Sequence, residues 1–169
     1  MKLFVTVGST GFDDLVEAAT SISFVSNLST LGFSSLLIQY GASKDIFLRN
    51  TKDLRECDIE IQGYDYKTTI EHDIAMADLV ISHSGSGTIL QALRLHKKLV
   101  VIVNESLLGN HQTELAQAMA TKNYVVYGDI SNLVDTVFKA SKHHLEPFPE
   151  PNVALFAAAL DKQMGFTLN

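Results

Sequence analysis

Residues 84–88, Ser84-Gly85-Ser86-Gly87-Thr88, are all small, and each offers a hydroxyl or an unshielded backbone amide. That combination suits anion binding. Glycine lets a phosphate come close to the backbone because no Cβ intervenes. If a helix starts there, its first free N–H groups point into the turn, and its dipole adds roughly half a positive charge. A second run of this kind, Gly8-Ser9-Thr10-Gly11, stands near the N-terminus. A third polar segment, 104–114, contains Asn110, His111 and Gln112. Its amide side chains carry both donors and acceptors, which suits sugar hydroxyls; equally, Asn110 could only cap a helix and Gln112 only face water. His83 immediately precedes the 84–88 run, either bonded to a nearby carbonyl or turned to a ligand. Tyr64 and Tyr66 could stack on a base or cover the edge of a sheet.

These residues need elements to position them. Leu79, Val80 and Ile81 read as a buried parallel strand that runs into the glycine turn. Ile89, Leu90, Leu93 and Leu95 read as the apolar side of a helix over 88–95. Similar strands are expected at 3–7, 35–40, 59–61, 99–103 and 124–127. Helical spacing links Phe12, Leu15, Ala19, Ile22 and Val25, then recurs over 69–77, 111–122 and through Leu133, Val137 and Phe138. Repeated β-α-β order predicts an α/β fold, a Rossmann-like parallel sheet with helices on both faces. Ligands of such sheets sit outside the carboxyl ends of the strands. Both glycine loops fall on that edge, and two phosphate-compatible turns together point to a nucleotide diphosphate.

Composition narrows the field. A length of 169 residues fits one domain, and 46% hydrophobic residues can build a sizeable core. A net charge of −6 argues against nucleic acid as a partner. The single cysteine, Cys57, cannot form an internal disulfide and reads as a small buried apolar residue in a reducing compartment. No window approaches the ~20 apolar residues of a membrane span, and the N-terminus reads as a strand, not a signal peptide. The expected location is the cytoplasm, with any membrane attachment supplied by another protein. There is no Gly-x-x-x-x-Gly-Lys-Ser/Thr run, which argues against a P-loop kinase or ATPase. Gly85-Ser86-Gly87 matches half of a dinucleotide fingerprint, with Leu90 at its last place and Glu105 where a ribose-binding acid would stand. A dinucleotide-dependent oxidoreductase is therefore a rival reading. Ser86 lacks the flanking glycines of a nucleophile elbow. Histidines and carboxylates show no metal spacing, so no metal or other cofactor is indicated.

The end of the chain differs. Pro147, Pro149 and Pro151 alternate in a stiff segment, and Val153, Phe156, Ala157, Leu160 and Met164 then keep a helical stripe. The expected division is a donor-nucleotide domain at 1–145, then a linker and C-terminal helix at 146–169. That helix either folds back on its own domain or reaches a partner.

The segments Asp78–Ile89 and Leu99–Ala116 resemble the C-terminal domain of family 28 glycosyltransferases. With Phe4–Thr10, Gly63–Tyr66 and Glu146–Pro149, nearly the whole chain resembles the cytosolic catalytic subunits of two-subunit N-acetylglucosaminyltransferases of asparagine-linked glycosylation. The resemblance implies one half of a GT-B glycosyltransferase, binding UDP-N-acetylglucosamine as donor. It implies dolichyl-diphosphate carrying one N-acetylglucosamine as acceptor and a chitobiosyl lipid, formed with inversion, as product. It also implies a membrane-anchored partner subunit, held through the C-terminal helix, that recruits the chain to the cytosolic face of the endoplasmic reticulum. Gly8, Ser9, Thr10 and the backbone of Ser84, Gly85, Ser86, Gly87 and Thr88 would line the donor diphosphate. Asn110, His111 and Gln112 would contact the sugar, and Tyr66 would lie near uracil. Gln91 stands where such proteins carry an acid for the ribose hydroxyls, and it replaces that charge with a neutral amide. For the general base, no carboxylate has a claim; His83 and His111 are candidates, or the base lies on the partner. The alternative is a non-catalytic nucleotide-binding module that regulates a membrane enzyme.

Overall fold

In the computed structural model, the described residues are 1–54, 57–104, 111–152 and 154. The chain starts at the middle of a six-stranded sheet. Strand β1 (Lys2–Thr6) is followed by helices α1 (Asp13–Ala19) and α2 (Ile22–Thr30), then β2 (Ser35–Gln39), α3 (Lys44–Asn50) and β3 (Glu60–Tyr64). Helix α4 (Glu71–Met76) carries the chain back across the centre to β4 (Leu79–His83). From there α5 (Ser86–Arg94), β5 (Lys98–Ile102), α6 (His111–Thr121), β6 (Val126–Gly128) and α7 (Leu133–Lys142) complete the second half. All pairings are parallel, in the order β3-β2-β1-β4-β5-β6. Leu3 stands level with Leu36 on one side and Leu79 on the other.

The apolar runs explain the layers. A strand buried on both faces reads as a continuous hydrophobic stretch, and Leu79, Val80, Ile81, Leu99, Val100, Val101 and Ile102 are each at most 2% exposed. Successive residues alternate between the two faces. Leu3, Val5, Ile81 and Val100 join one core with Leu15, Val25 and Leu28, while Phe4, Val80 and Val101 join the other with Ile74, Ile89 and Ala116. Each fully buried side chain of this size contributes about 1.5–3 kcal/mol against exposure.

Strand ends shift from the sequence reading, with β3 at Glu60–Tyr64 against 59–61 and β6 at Val126–Gly128 against 124–127, and three further departures have a physical cause. The helical spacing over 12–25 is two helices. Ser21 interrupts it by capping α2, its hydroxyl accepting from the Phe24 amide at 3.2 Å, while the Thr20 hydroxyl bonds back to the Val16 carbonyl at 2.6 Å. Helix α3 has only Phe47 buried, too little for a periodic signal. Phe47 stacks on Tyr40 at 4.8 Å between ring centroids and fills the space over Gly63, where a Cβ would lie 2.4 Å from its ring. Helix α5 begins at Ser86, so Ser86, Gly87 and Thr88 form its first turn and not the loop before it.

After α7 the chain turns back along the sheet's amino edge. The Glu146 amide bonds to the Asn123 carbonyl at 2.9 Å, and Phe148 meets Tyr124 edge to face at 5.2 Å. Val153, Phe156, Ala157, Leu160 and Met164, which carry the expected C-terminal helix, lie outside the described residues.

Candidate functional site

Strands β1, β2 and β3 spread to one side of the sheet and β4, β5 and β6 to the other. The two central strands, β1 and β4, therefore run side by side while their following loops part in opposite directions. A crevice opens at that point in a doubly wound sheet. Here it is a cleft of about 420 Å³, lined by Thr6, Gly8, Ser9 and Gln39 on one side and by Gly87, Thr88 and Gln91 on the other. The loop after β3, Tyr66 to Ile70, forms the remaining wall.

The structure brings the two glycine loops together as their spacing predicts. Ser9 and Thr10 are exposed in the loop after β1, and Ser86 and Gly87 are exposed at the start of α5. Gly85 is the N-cap of α5 and supplies no side-chain acceptor, so the first-turn amides of this nine-residue helix keep no capping oxygen. Ser84 is different. It is 1% exposed, and its hydroxyl donates to Gln112 Oε1 at 3.0 Å. This bond ties the start of α6 to the start of α5. Gln112 is thus next to the cleft's glycine loop, and His111 is the first residue of α6. Asn110, the His111 side chain and Glu105 lie outside the described residues.

His83 closes the bottom of this junction. Its ring sits between two glycines: a Cβ on Gly8 would lie 2.9 Å from Cε1 and Nε2, and a Cβ on Gly85 2.4 Å from Nε2. Both positions need glycine for that reason, and Gly8 also has a φ of +75°. His83 Nδ1 is buried without a hydrogen-bond partner among the described residues. Burial pushes the imidazole pKa below its usual value, and the Thr6 backbone opposes only part of that shift. The ring is accordingly neutral near pH 7.

The third wall was not legible beforehand except at Tyr66, which is 67% exposed at the cleft. Lys67 grips the Asp73 carboxylate with 2.7 and 2.8 Å contacts and sits 4.1 Å from the centroid of the Tyr64 ring. The Tyr64 hydroxyl also donates to Asp73, and burial followed by that carboxylate raises the phenol pKa well above normal. Tyr64 thus braces the loop and does not offer a stacking face to the cleft. Gln39 also escaped the sequence reading; its one signal was a polar residue closing the apolar run Leu36-Leu37-Ile38. Among the described residues, those lining the cleft include no carboxylate. Among the described residues, no group of three or more His, Cys, Asp or Glu is placed to hold a metal ion.

The sheet order and its cleft define a Rossmann-like α/β domain of the kind that forms one half of GT-B glycosyltransferases. The chain belongs to the glycosyltransferase family 28 C-terminal domain family, whose model matches residues 2–164. It is 34% identical to the UDP-N-acetylglucosamine transferase subunit ALG13 of Yarrowia lipolytica, over 98% of this chain and 86% of that protein. It is 39% identical to the protein of that name in Mus musculus, over 75% of this chain but only 10% of the longer mouse protein. The NMR solution structure of ALG13 superposes with a TM-score of 0.72 at 29% identity, covering 95% of this chain and 94% of that one. MurG of Acinetobacter baumannii shares the fold, with a TM-score of 0.66 at 17% identity, over 96% of this chain and 50% of MurG.

Proposed function

We propose that this chain is the donor-binding half of a two-subunit transferase. It moves N-acetylglucosamine from UDP-N-acetylglucosamine to N-acetylglucosaminyl-diphosphodolichol, giving the chitobiosyl lipid with inversion. The observation that carries this reading is the pair of amide-rich loops meeting at the β1–β4 crevice, in a family 28 chain similar to proteins named as UDP-N-acetylglucosamine transferase subunits.

In this reading the acceptor hydroxyl oxygen attacks the anomeric carbon of the donor sugar, and the bond from that carbon to the UDP oxygen breaks. Negative charge grows on the departing diphosphate. The α5 amides at Ser86, Gly87 and Thr88 face that charge from a fixed position, and Gly8, Ser9 and Thr10 face it from the other loop. Such preorganised donors stabilise a leaving group without reorganising during the reaction. Neutral His83 beneath both loops can donate one N–H to the same group. Tyr66 takes the uracil, Gln91 the ribose hydroxyls, and Asn110, His111 and Gln112 the sugar. The attacking hydroxyl must lose its proton to a base. With no carboxylate among the described residues that line the cleft, the candidates for that base are His83, His111 or a group on the partner.

The partner is a membrane-anchored subunit, contacted through residues 153–164, that holds the chain at the cytosolic face of the endoplasmic reticulum. No helix among the described residues is long and apolar enough to cross a membrane. Residues 1–145 form the donor domain and 146–169 the partner-binding extension. The test is transfer of labelled sugar from UDP-N-acetylglucosamine to the lipid acceptor by the chain co-expressed with its partner. Lipid-linked label is expected; UDP binding with no transfer would instead support a non-catalytic nucleotide-binding module, the reading that a neutral Gln91 at the cleft suits.

A further inference from the structure

The loop from Gly8 to Phe12 is held at one end by the last residue of β2 and at the other by Ser43, in the turn that follows β2. At its start stands Gln39, 4% exposed. Gln39 Oε1 accepts from the Thr6 hydroxyl at 2.6 Å and from the Gly8 amide at 3.1 Å. Gln39 Nε2 donates to the Gly8 carbonyl and to the Asp65 carbonyl, both at 2.8 Å. An amide side chain has two acceptor sites and two donor hydrogens, and all four are used. The arrangement also fixes which way the amide points. Flipped, its NH2 would face the Gly8 N–H, and its oxygen would face two carbonyl oxygens.

At the far end stands Ser43, 3% exposed. Its hydroxyl accepts from the Phe12 amide at 3.0 Å and donates to Asp13 Oδ1 at 2.6 Å. Between the two anchors, only Ser9 and Thr10 are exposed.

We infer that Gln39 and Ser43 form a two-point clamp that presents the Ser9–Thr10 turn to the diphosphate of a nucleotide sugar. The inference rests on the donor-binding reading above. Gln39 lines the cleft, yet its hydrogen-bonding capacity is spent inside the protein, so it is a positioning residue that acts through Gly8. Through Asp65 it also fixes the start of the Tyr66 wall, so one amide sets the spacing of two sides of the cleft. Holding the loop before the ligand arrives lowers the ordering cost of binding.

Gln39→Leu removes all four bonds. Gln39→Glu keeps the accepting half but turns a carboxylate oxygen toward the Gly8 and Asp65 carbonyls. Gln39→Leu, Gln39→Glu and Ser43→Ala would be compared with wild type in the co-expressed complex, measuring UDP affinity and donor KM and kcat. Ser21→Ala, which removes the α2 cap far from the cleft, serves as a control for lost stability. Misplacing a binding loop by an ångström costs about 10- to 100-fold. We expect Gln39→Leu and Gln39→Glu to weaken UDP binding and raise donor KM by about tenfold or more. Ser43→Ala should do so by less, and Ser21→Ala should leave both unchanged. Wild-type UDP affinity and KM in Gln39→Leu, or an equal loss in Ser21→Ala, would overturn the clamp and leave the donor reading intact. A wild-type complex that binds no UDP would overturn the donor reading and the clamp with it.

Discussion

Single atoms decide access to the crevice. Among the described residues, no atom lies within 4 Å of where a Cβ on Gly87 would be, so the fold accepts a side chain there. Gly87→Val should melt at the wild-type temperature yet abolish transfer, because the new methyls would occupy the space proposed for the diphosphate. Gly85 is the opposite case. A methyl there would press on His83 Nε2, and overpacking of this sort costs about 1–3 kcal/mol. Gly85→Ala should therefore lower both Tm and nucleotide affinity, measured by thermal melting with and without UDP. His83 adds a pH signature. Its folded pKa lies below the unfolded value of 6.5, so on acidification the unfolded chain takes up a proton that the folded chain resists. Stability from this group is full above about pH 7 and is lost as pH falls through the unfolded value toward the folded one. Melting curves across that range should show a drop that His83→Gln lacks; parallel curves for the two proteins would disprove the assignment.

Among the elements, the strands were the easiest to anticipate. Leu79–Ile81 and Leu99–Ile102 are unbroken apolar runs, and burial on both faces leaves no other pattern open to them. The two glycine loops followed from strand ends and residue size alone. What escaped was whatever depends on a single polar contact. Ser21 splits one expected helix into α1 and α2 by capping, although the apolar spacing passes through it undisturbed. Ser86, Gly87 and Thr88 look like a turn because of their low helix propensity, yet they form the first turn of α5. Gln39 looked like the polar end of a strand, since no periodicity marks a residue whose partners are 26 to 33 positions away. The Ser21 cap can be weighed directly. Ser21→Ala should destabilise the fold by about 1 kcal/mol, read as a lower denaturant midpoint with an unchanged slope.

The whole molecule offers half of what a two-substrate transfer needs. In the proposed reading its cleft meets a nucleotide sugar with amides, hydroxyls and a neutral imidazole, and among the described residues no carboxylate lines it. If the chain is only the donor half proposed above, the purified chain should bind UDP and transfer no sugar, and adding the proposed membrane subunit should give transfer. Sustained turnover by the chain alone would place the complete machinery on this subunit.

The crevice at the sheet's centre also shapes how the protein comes off the ribosome. The Lys2 amide donates to the Asp78 carboxylate, a partner 76 residues later, whereas β2 follows β1 by little more than two helices. At about 5–20 residues per second of translation, the β4-facing flank of β1 waits roughly 4–15 s for its neighbour. During that interval an apolar parallel strand has one unpaired edge, a natural ligand for a nascent-chain chaperone. The same winding order that opens the crevice in the finished protein thus makes its central strand vulnerable to aggregation during synthesis.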